Sequence, residues 1–518
     1  MKKARKRRAQ NPAKPAPTKK APRAALPELT ERVWWIAAAV IFVVGAILRL
    51  YALALKPMHN DEGVNGFFMM NLLRDGVYRY DPANYHGPTL YYLDLVIVRV
   101  NGFLFHGEGL SDTSVRLVAA IFGIAMVALV LWMRQLLGKR EALVAAALIA
   151  ISPGAVFYSR YFIHEIPFVF FALGGAVCGW LAWKRCDPRF MPIGAVSLAF
   201  LFASKETAII SALGLVVAVP TQLYWARMRE GLPAPAWKGF GNRQRTIIYS
   251  VLAVVLFIGL NVVLYSSFFT NAKGVRDAFA TFAVWFKTGV TYQFYPRYIY
   301  LTWMAREEWP LMLISVVGTA VAVWTKPRSF ASFIGIWTIG LYAVYTYISY
   351  KEPWLAINFI IPAAISGGGG AVYLWERSRE RKLLWGLVCA GLTLVLFYET
   401  IHLNFVRYDD PDEAYVYMHS TREINFLVDE VNAYDARTHA GPEMEICITA
   451  GEYWPLPWYF RDYKKALFWG SVVPTTAPVV IGGKDQVPAL TAELGLAYQL
   501  IRYYDLRPGV PLALFIRK

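Results

Sequence analysis

Two carboxylic acids and an imidazole stand together in His59-Asn60-Asp61-Glu62, directly after the first long apolar stretch of the chain. Adjacent acids beside lipid are costly unless they are paired, hydrated or put to use. The chain returns to apolar sequence through Tyr85-His86-Gly87-Pro88, so a carboxylate pair and a second imidazole can share one cavity mouth. Gly87 would allow close backbone approach there, and Pro88 would open the next helix. Carboxylates and imidazoles so placed are the usual proton acceptors of general base chemistry. Each residue also has a structural reading: Asp61 as the cap of a helix starting at Glu62, Glu62 as a solvated first-turn acid, and His86 as a turn stabiliser.

Arg116, Arg160, Lys205 and Lys351 are each predicted at the outer end of a helix. Arginine offers a planar fork to a phosphate and lysine a compact point charge, while snorkelling toward water or pairing with an acid is the ordinary reason for such cations. Lys205-Glu206 and Lys351-Glu352 can be read simply as internal ion pairs. His164-Glu165 could join His59 and Asp61 around a divalent cation such as Zn²⁺ or Mn²⁺, although no ligand spacing is diagnostic. Without a metal, Glu165 would be a second acid shaping a pocket.

The elements that must position these groups are mostly membrane spans. Of 518 residues, 57% are hydrophobic and only 17% charged, too apolar for an ordinary soluble enzyme and incompatible with a largely disordered or fibrous chain. Apolar stretches near 33–55, 114–137, 142–158, 166–183, 190–204, 206–224, 246–268, 309–324, 330–348, 354–374 and 383–401 predict about eleven transmembrane helices. Residues 1–32 carry eleven Lys and Arg against two Glu, roughly half of the net charge of +17, and read as a disordered basic cytoplasmic tail. Beside a span, this cluster is an anchor for anionic lipid rather than a nucleic-acid contact. The first apolar run lacks a convincing cleavage site and is expected to remain as a signal anchor. The tail, Gly138–Glu141, Lys184–Arg189, Trp225–Arg245, Thr325–Arg328 and Trp375–Lys382 are all rich in Lys and Arg, which predicts a multi-pass protein of the cytoplasmic membrane with its N-terminus inside.

On that topology the membrane domain covers 33–401. Its first outer loop, 56–113, carries the candidate acids, and Thr89–Phe105 within it reads as a helix lying along the interface. From about His402 to Lys518 the composition changes. Polar helical sequence such as Thr421–Asn432 mixes with β-rich runs at Glu445–Thr449, Pro478–Ile481 and Leu512–Ile516, predicting a small extracytoplasmic α/β domain. Its segment EYWPLPWYFRDY, residues 452–463, suits either a carbohydrate-stacking surface or aromatic core packing. Cys178, Cys186, Cys389 and Cys447 form no CxxC motif or disulfide framework and are read as structural.

Asp61-Glu62 after the first helix, YDPANYHGPTLYY over 80–92, Arg116 entering the second helix and SRYFIHEIP over 159–167 together resemble the protein O-mannosyltransferase-like branch of the membrane-embedded type C glycosyltransferases. The closer resemblance is to prokaryotic relatives known as flippase-activity-associated proteins. It is most specific in roughly the first 210 residues. It implies a fold of eleven to thirteen helices with an outward-facing active site, and a hexosyltransferase moving a mannose-like sugar from a polyprenyl-phosphate donor to a glycan, lipid or protein acceptor by inversion. In that reading Asp61 is the base, Glu62 and His86 assist it, and Arg116, Arg160, Lys205 and Lys351 bind the donor phosphate. The alternative is a flippase-associated factor that translocates lipid-linked oligosaccharide, which needs a polar path at mid-span depth. The ionisable residues here cluster at predicted helix ends.

Overall fold

The computed structural model describes residues 29–83, 86–105, 109–231, 239–291, 295–378 and 381–518, without the side chains of 286 and 288–291. Most of the expected basic tail, and Tyr85 of the first outer loop, lie outside the described residues. The first helix, α1 (Glu31–Leu50), begins after Thr30, whose hydroxyl accepts the Val33 N–H. It is followed by α2 (Asn60–Asp75), α3 (Thr89–Phe105), α4 (Asp112–Trp132) and its one-turn continuation α5 (Arg134–Leu137). Then come α6 (Lys139–Ala150), α7 (Pro153–Ser159), α8 (Glu165–Arg185), α9 (Phe190–Phe202), α10 (Ala208–Glu230), α11 (Arg243–Tyr265) and α12 (Ala272–Thr291). The helical region ends with α13 (Ile299–Glu307), α14 (Trp309–Thr325), α15 (Phe330–Tyr347), α16 (Ile357–Arg377) and α17 (Lys382–Ile401).

Among the described residues eight helices are long and apolar enough to cross a membrane, and two bent pairs raise the number to ten if each is one span. The protein is a multi-pass membrane protein. The expected span at 190–204 corresponds to α9, whose 13 residues rise only about 20 Å, short of a hydrocarbon core about 30 Å thick. The expected helix at 142–158 is broken into α6 and α7, bent by 61°. Pro153 has no N–H to continue a helix, and Ser152 caps a new one through the Ala155 N–H at 3.1 Å. The second break, 115° between α13 and α14, meets the first. Glu308 at that corner accepts the Ser152 hydroxyl at 2.7 Å and the Gly154 N–H at 2.9 Å, satisfying donors that the start of α7 would otherwise leave unpaired.

Helix α16 is the buried axis of the bundle, packed on α6, α14 and α15, whereas α11 and α17 present apolar side chains such as Val251, Val254, Leu387 and Leu394 outward. The approach of α16 to α14 depends on missing side chains: a Cβ on Gly370 would enter the Gly318 backbone. Small residues are the usual means of close helix contact in lipid. The basic connections gather at one end of the bundle, where Arg134 and Lys139 pair with Glu31, Arg140 with Glu376, Lys326 with Glu141 and Arg328 with Glu230.

The other end carries α2, α3 and the C-terminal sheet domain. That domain contains α18 (Glu423–Thr438), β1 (Glu445–Ile448), a single turn α19 (Leu456–Tyr459), β2 (Lys465–Phe468), β3 (Val479–Gly483), α20 (Val487–Leu494), β4 (Tyr498–Arg507) and β5 (Val510–Arg517). The sheet order is β2-β1-β3-β5-β4, parallel across β2, β1 and β3 and antiparallel across β3, β5 and β4. Ile446, Ile448, Val479 and Ile481 pack on one face with Ile424 and Leu427 of α18, and Cys447 and Val480 on the other with Leu490 and Leu494 of α20. Strands covered on both faces read as continuous apolar runs, which is why β1, β3 and β5 are visible in the sequence. The edge strands β2 and β4, half exposed, are not.

Gly370→Leu is expected to overpack the α14–α16 contact at a cost of about 1–3 kcal/mol or more, read as a lowered thermal midpoint in detergent. Gly386→Leu in α17 meets nothing within 4 Å and should leave that midpoint unchanged.

Candidate active site

The start of α2 explains why His59, Asp61 and Glu62 occur in that order. His59 is the N-cap: its Nδ1 accepts the Asp61 N–H at 3.0 Å, and Glu62 reaches back to accept the His59 N–H at 3.1 Å, closing a capping box. The His59 Nε2–H donates to the Tyr417 carbonyl at 3.1 Å. Asp61 is therefore not the cap. Its carboxylate stays half exposed in the first turn, with Asn60 Nδ2 donating to it at 3.2 Å.

Glu62 is fully buried and fully used. Arg116 donates to its two oxygens through Nε and Nη2, each at 2.7 Å, and the Phe162 N–H adds a bond at 2.8 Å. Burial acts to raise the Glu62 pKa, but the Arg116 guanidinium and the nearby Lys56 outweigh it and hold the carboxylate below its ordinary value. Arg116 spends its remaining N–H groups on the carbonyls of Leu53, Lys56 and Pro57 at 2.9–3.1 Å. Glu62, expected to assist the base, and Arg116, expected to bind phosphate, are bonded to each other as a buried clamp on the loop after α1.

Two further cations are also committed to backbone. Arg160 donates to Leu48, Tyr51 and Ala52 carbonyls at 2.6–3.2 Å, closing the C-terminal end of α1. Lys351 does the same for α15, donating to Tyr345 at 2.9 Å, Thr346 at 3.1 Å and Ile348. Burial and the charge of Arg297 bring Lys351 down to about 8.

Lys205 differs. It forms a buried ion pair with Glu165 at the start of α8, and its neighbour Glu206 receives His86 Nδ1 at 3.1 Å. The expected Lys205–Glu206 pair is thus replaced by two cross-loop pairs. Gly87 makes this possible. Its N–H donates to the Ser204 carbonyl and Thr89 N–H to Ala203, both at 3.0 Å, and a Cβ on Gly87 would collide with Ala203. His164 lies beneath, its Nε2 donating to the Gly87 carbonyl at 3.2 Å and its ring edge-on to His86 at 5.1 Å.

This arrangement does not fit the expected metal. Both ring nitrogens of His59 are engaged, His164 is bonded to backbone, and Glu165 is paired with Lys205. Among the described residues no three His, Cys, Asp or Glu side chains are grouped to hold an ion.

Two cavities adjoin at Tyr350, one of about 180 Å³ lined by His86, Lys205 and Glu206, the other of about 230 Å³ lined by Tyr295, Lys351, Glu352 and Tyr417. Burial works to lower the Lys205 pKa, yet Glu165, Glu206 and Asp61 together raise it, so the ammonium is held charged. Glu352 was not among the expected site residues. Its Oε2 is buried without a hydrogen-bond partner among the described residues, and burial together with the Asp61 carboxylate pushes it up to about 8. Glu206 was missed as well. Burial would raise it, but His86 and Lys205 hold it at about 2. Both were read only as sequence neighbours of a lysine.

Residues 101–233 match the family described as dolichyl-phosphate-mannose-protein mannosyltransferase, a segment containing Arg116, Arg160, His164, Glu165, Lys205 and Glu206. The crystal structure of ArnT from Cupriavidus metallidurans bound to undecaprenyl phosphate superposes with a TM-score of 0.63 at 14% identity, over 94% of this chain and 98% of that one. The oligosaccharyltransferase of Archaeoglobus fulgidus matches at 0.54 and 14% identity, over 91% of this chain and 73% of that one. The chain has the fold of the type C membrane glycosyltransferases. No curated protein sequence matches it. Within this type C fold, Asp61, Lys205, Glu206, His86 and Glu352 are what remains after the clamps are subtracted.

Removing one partner of the Glu62–Arg116 pair should cost about 3–5 kcal/mol. Glu62→Leu and Arg116→Met are each expected to lower the thermal midpoint, and the double variant to lose less than the sum. A second measurement concerns Glu352. Because its folded pKa of about 8 lies above the ordinary 4.5, its contribution favours folding most below pH 4.5 and is lost as pH rises toward 8. Difference infrared spectra should show a protonated carboxyl vanishing with a midpoint near 8. Glu352→Gln should remove the band, and Asp61→Asn should shift its midpoint downward.

Proposed function

We propose that the protein transfers one sugar, a mannose-like hexose, from a polyprenyl-phosphate donor to an acceptor hydroxyl on the side of the membrane that carries the sheet domain. The observation that carries this reading is Asp61, the one acid of the capping segment left half exposed, beside the buried ammonium of Lys205. The fold shared with a structure that holds undecaprenyl phosphate and the mannosyltransferase family match over 101–233 support it.

In this reaction the acceptor oxygen attacks the anomeric carbon and gives its proton to Asp61. The bond from that carbon to the phosphate oxygen breaks with both electrons leaving on the phosphate, so a single displacement inverts the configuration. The transition state has oxocarbenium character. Lys205 is the cation set to offset charge building on the leaving phosphate. His86 orients Glu206, and Glu165 holds Lys205. The basic end of the bundle is cytoplasmic in this reading, which puts the sheet domain and the acceptor outside.

The test is transfer of labelled sugar from a polyprenyl-phosphate sugar in membranes containing the protein. Asp61→Asn is expected to lose about 10²–10⁴-fold in turnover while keeping the wild-type thermal midpoint. Full activity in that variant rejects Asp61 as the base. Protein-dependent movement of lipid-linked sugar between leaflets, undiminished in the same variant and without transfer, would favour translocation instead.

A further inference from the structure

A further cavity lies away from the two that are lined by Lys205 and by Glu352. A groove of about 970 Å³ runs between the far end of α2, the C-terminal half of α3 and the 452–463 segment of the sheet domain. Its lining at Asn71 and Arg74 lies ten or more residues along α2 from Asp61, about 15–20 Å at the helical rise.

Two properties of the lining point to one kind of occupant. The first is charge: Arg99 and Arg461 face the groove against a single acid, Asp462, while the third arginine of the lining, Arg74, is paired with Asp75. Arg461 is held in place, its Nη1 donating to the Trp458 carbonyl at 2.8 Å and its guanidinium lying 4.4 Å from the Trp458 ring. Arg99 is exposed and has no ion-pair partner among the described residues. Guanidinium groups converging on one space suit phosphate oxygens. The second is continuity with lipid. Leu90, Tyr91 and Val98 of α3 are buried, while Val96, Val100, Phe103 and Leu104 form an exposed apolar stripe at helical spacing, with Phe103 81% exposed. Such a stripe is how a helix lies in a membrane interface. Phe103 belongs to both the stripe and the groove, so the groove opens beside the apolar stripe on that side.

We propose that this groove binds the phosphate-bearing headgroup of an anionic membrane lipid, with its chains leaving over Phe103. Arg99 and Arg461 hold the phosphate, and Trp454 and Tyr463 flank the polar part of the head. The site is separate from the cavities lined by Lys205 and by Glu352 and stands on binding alone, whatever the transferase assay returns.

The test uses the full chain in detergent and native mass spectrometry. It is titrated with dioctanoyl phosphatidic acid, with dioctanoyl phosphatidylcholine, and with phosphatidic acid in competition with glycerol 3-phosphate. Phosphatidic acid should be retained one to one, and phosphatidylcholine far less. Arg99→Gln with Arg461→Gln should weaken retention about thirtyfold, and Arg99→Gln alone about fivefold. The single variant is the one read if the double variant has a lowered thermal midpoint. Arg99→Lys should recover most of the binding, and Arg437→Gln on α18 should match wild type. Equal retention of phosphatidylcholine, or unchanged retention in Arg99→Gln, overturns the proposal. Displacement by glycerol 3-phosphate at equal concentration overturns it too, since the groove would then take a free anion rather than a lipid.

Discussion

The buried pair between Glu62 and Arg116 is the constraint on which the outer end of this protein depends. Two charges withdrawn from water cost several kcal/mol each, and attraction alone does not reliably return it. Here both groups are saturated: the carboxylate accepts from two arginine nitrogens and two backbone N–H groups, and the guanidinium reaches three further carbonyls. The result ties α2, the loop after α1, α4 and the turn before α8 to one point. It also decides what Asp61 can do. Successive side chains on a helix diverge by about 100°, so holding Glu62 in the interior directs Asp61 away from it, toward Lys205 and Glu352.

The membrane architecture was legible in the sequence because its signals are long-range and redundant. Apolar length and alternating basic connections agree, and the ion pairs Arg134–Glu31, Arg140–Glu376 and Arg328–Glu230 bring those connections together at one end. The broken spans were not legible. Ser152-Pro153 is a cap-and-stop signal, but inside an apolar run the length argument overrode it. The corner at Glu308 needs a partner, Ser152, 156 residues away.

For the candidate site, the sequence named most of the charged residues but not the partners that each one has in the structure. An arginine at a helix end can meet a phosphate or close the preceding helix by bonding its last carbonyls, and composition does not distinguish the two. Arg160 and Lys351 take the second course, bonding carbonyls that are left open where α1 and α15 end. Adjacent pairs misled in a related way. Lys205-Glu206 reads as an ion pair, yet neighbouring residues point apart, and each found its partner across a loop, Glu165 and His86. Glu352 escaped notice for the same reason, because an acid following a lysine looks neutralised when only the order of residues is known.

The aromatic segment 452–463 shows why one stretch of sequence can support two readings at once. Leu456, Trp458 and Phe460 are core residues, with the Trp458 Nε1–H donating to Asp112 at 2.7 Å and the indole filling the space above Gly66 of α2. Tyr459 accepts the Met58 N–H at 2.8 Å, just ahead of the capping box. Tyr453, Trp454 and Tyr463 instead line the open groove. The segment therefore braces the helix that presents Asp61 and forms one wall of a cavity farther along it. Any displacement of the sheet domain must then be felt at the start of α2, because Gly63 and Gly66 leave no room for α2 to slide against Pro455 and Trp458. The sheet domain is in this sense part of the site's mounting, although it contributes none of the charged groups around Asp61.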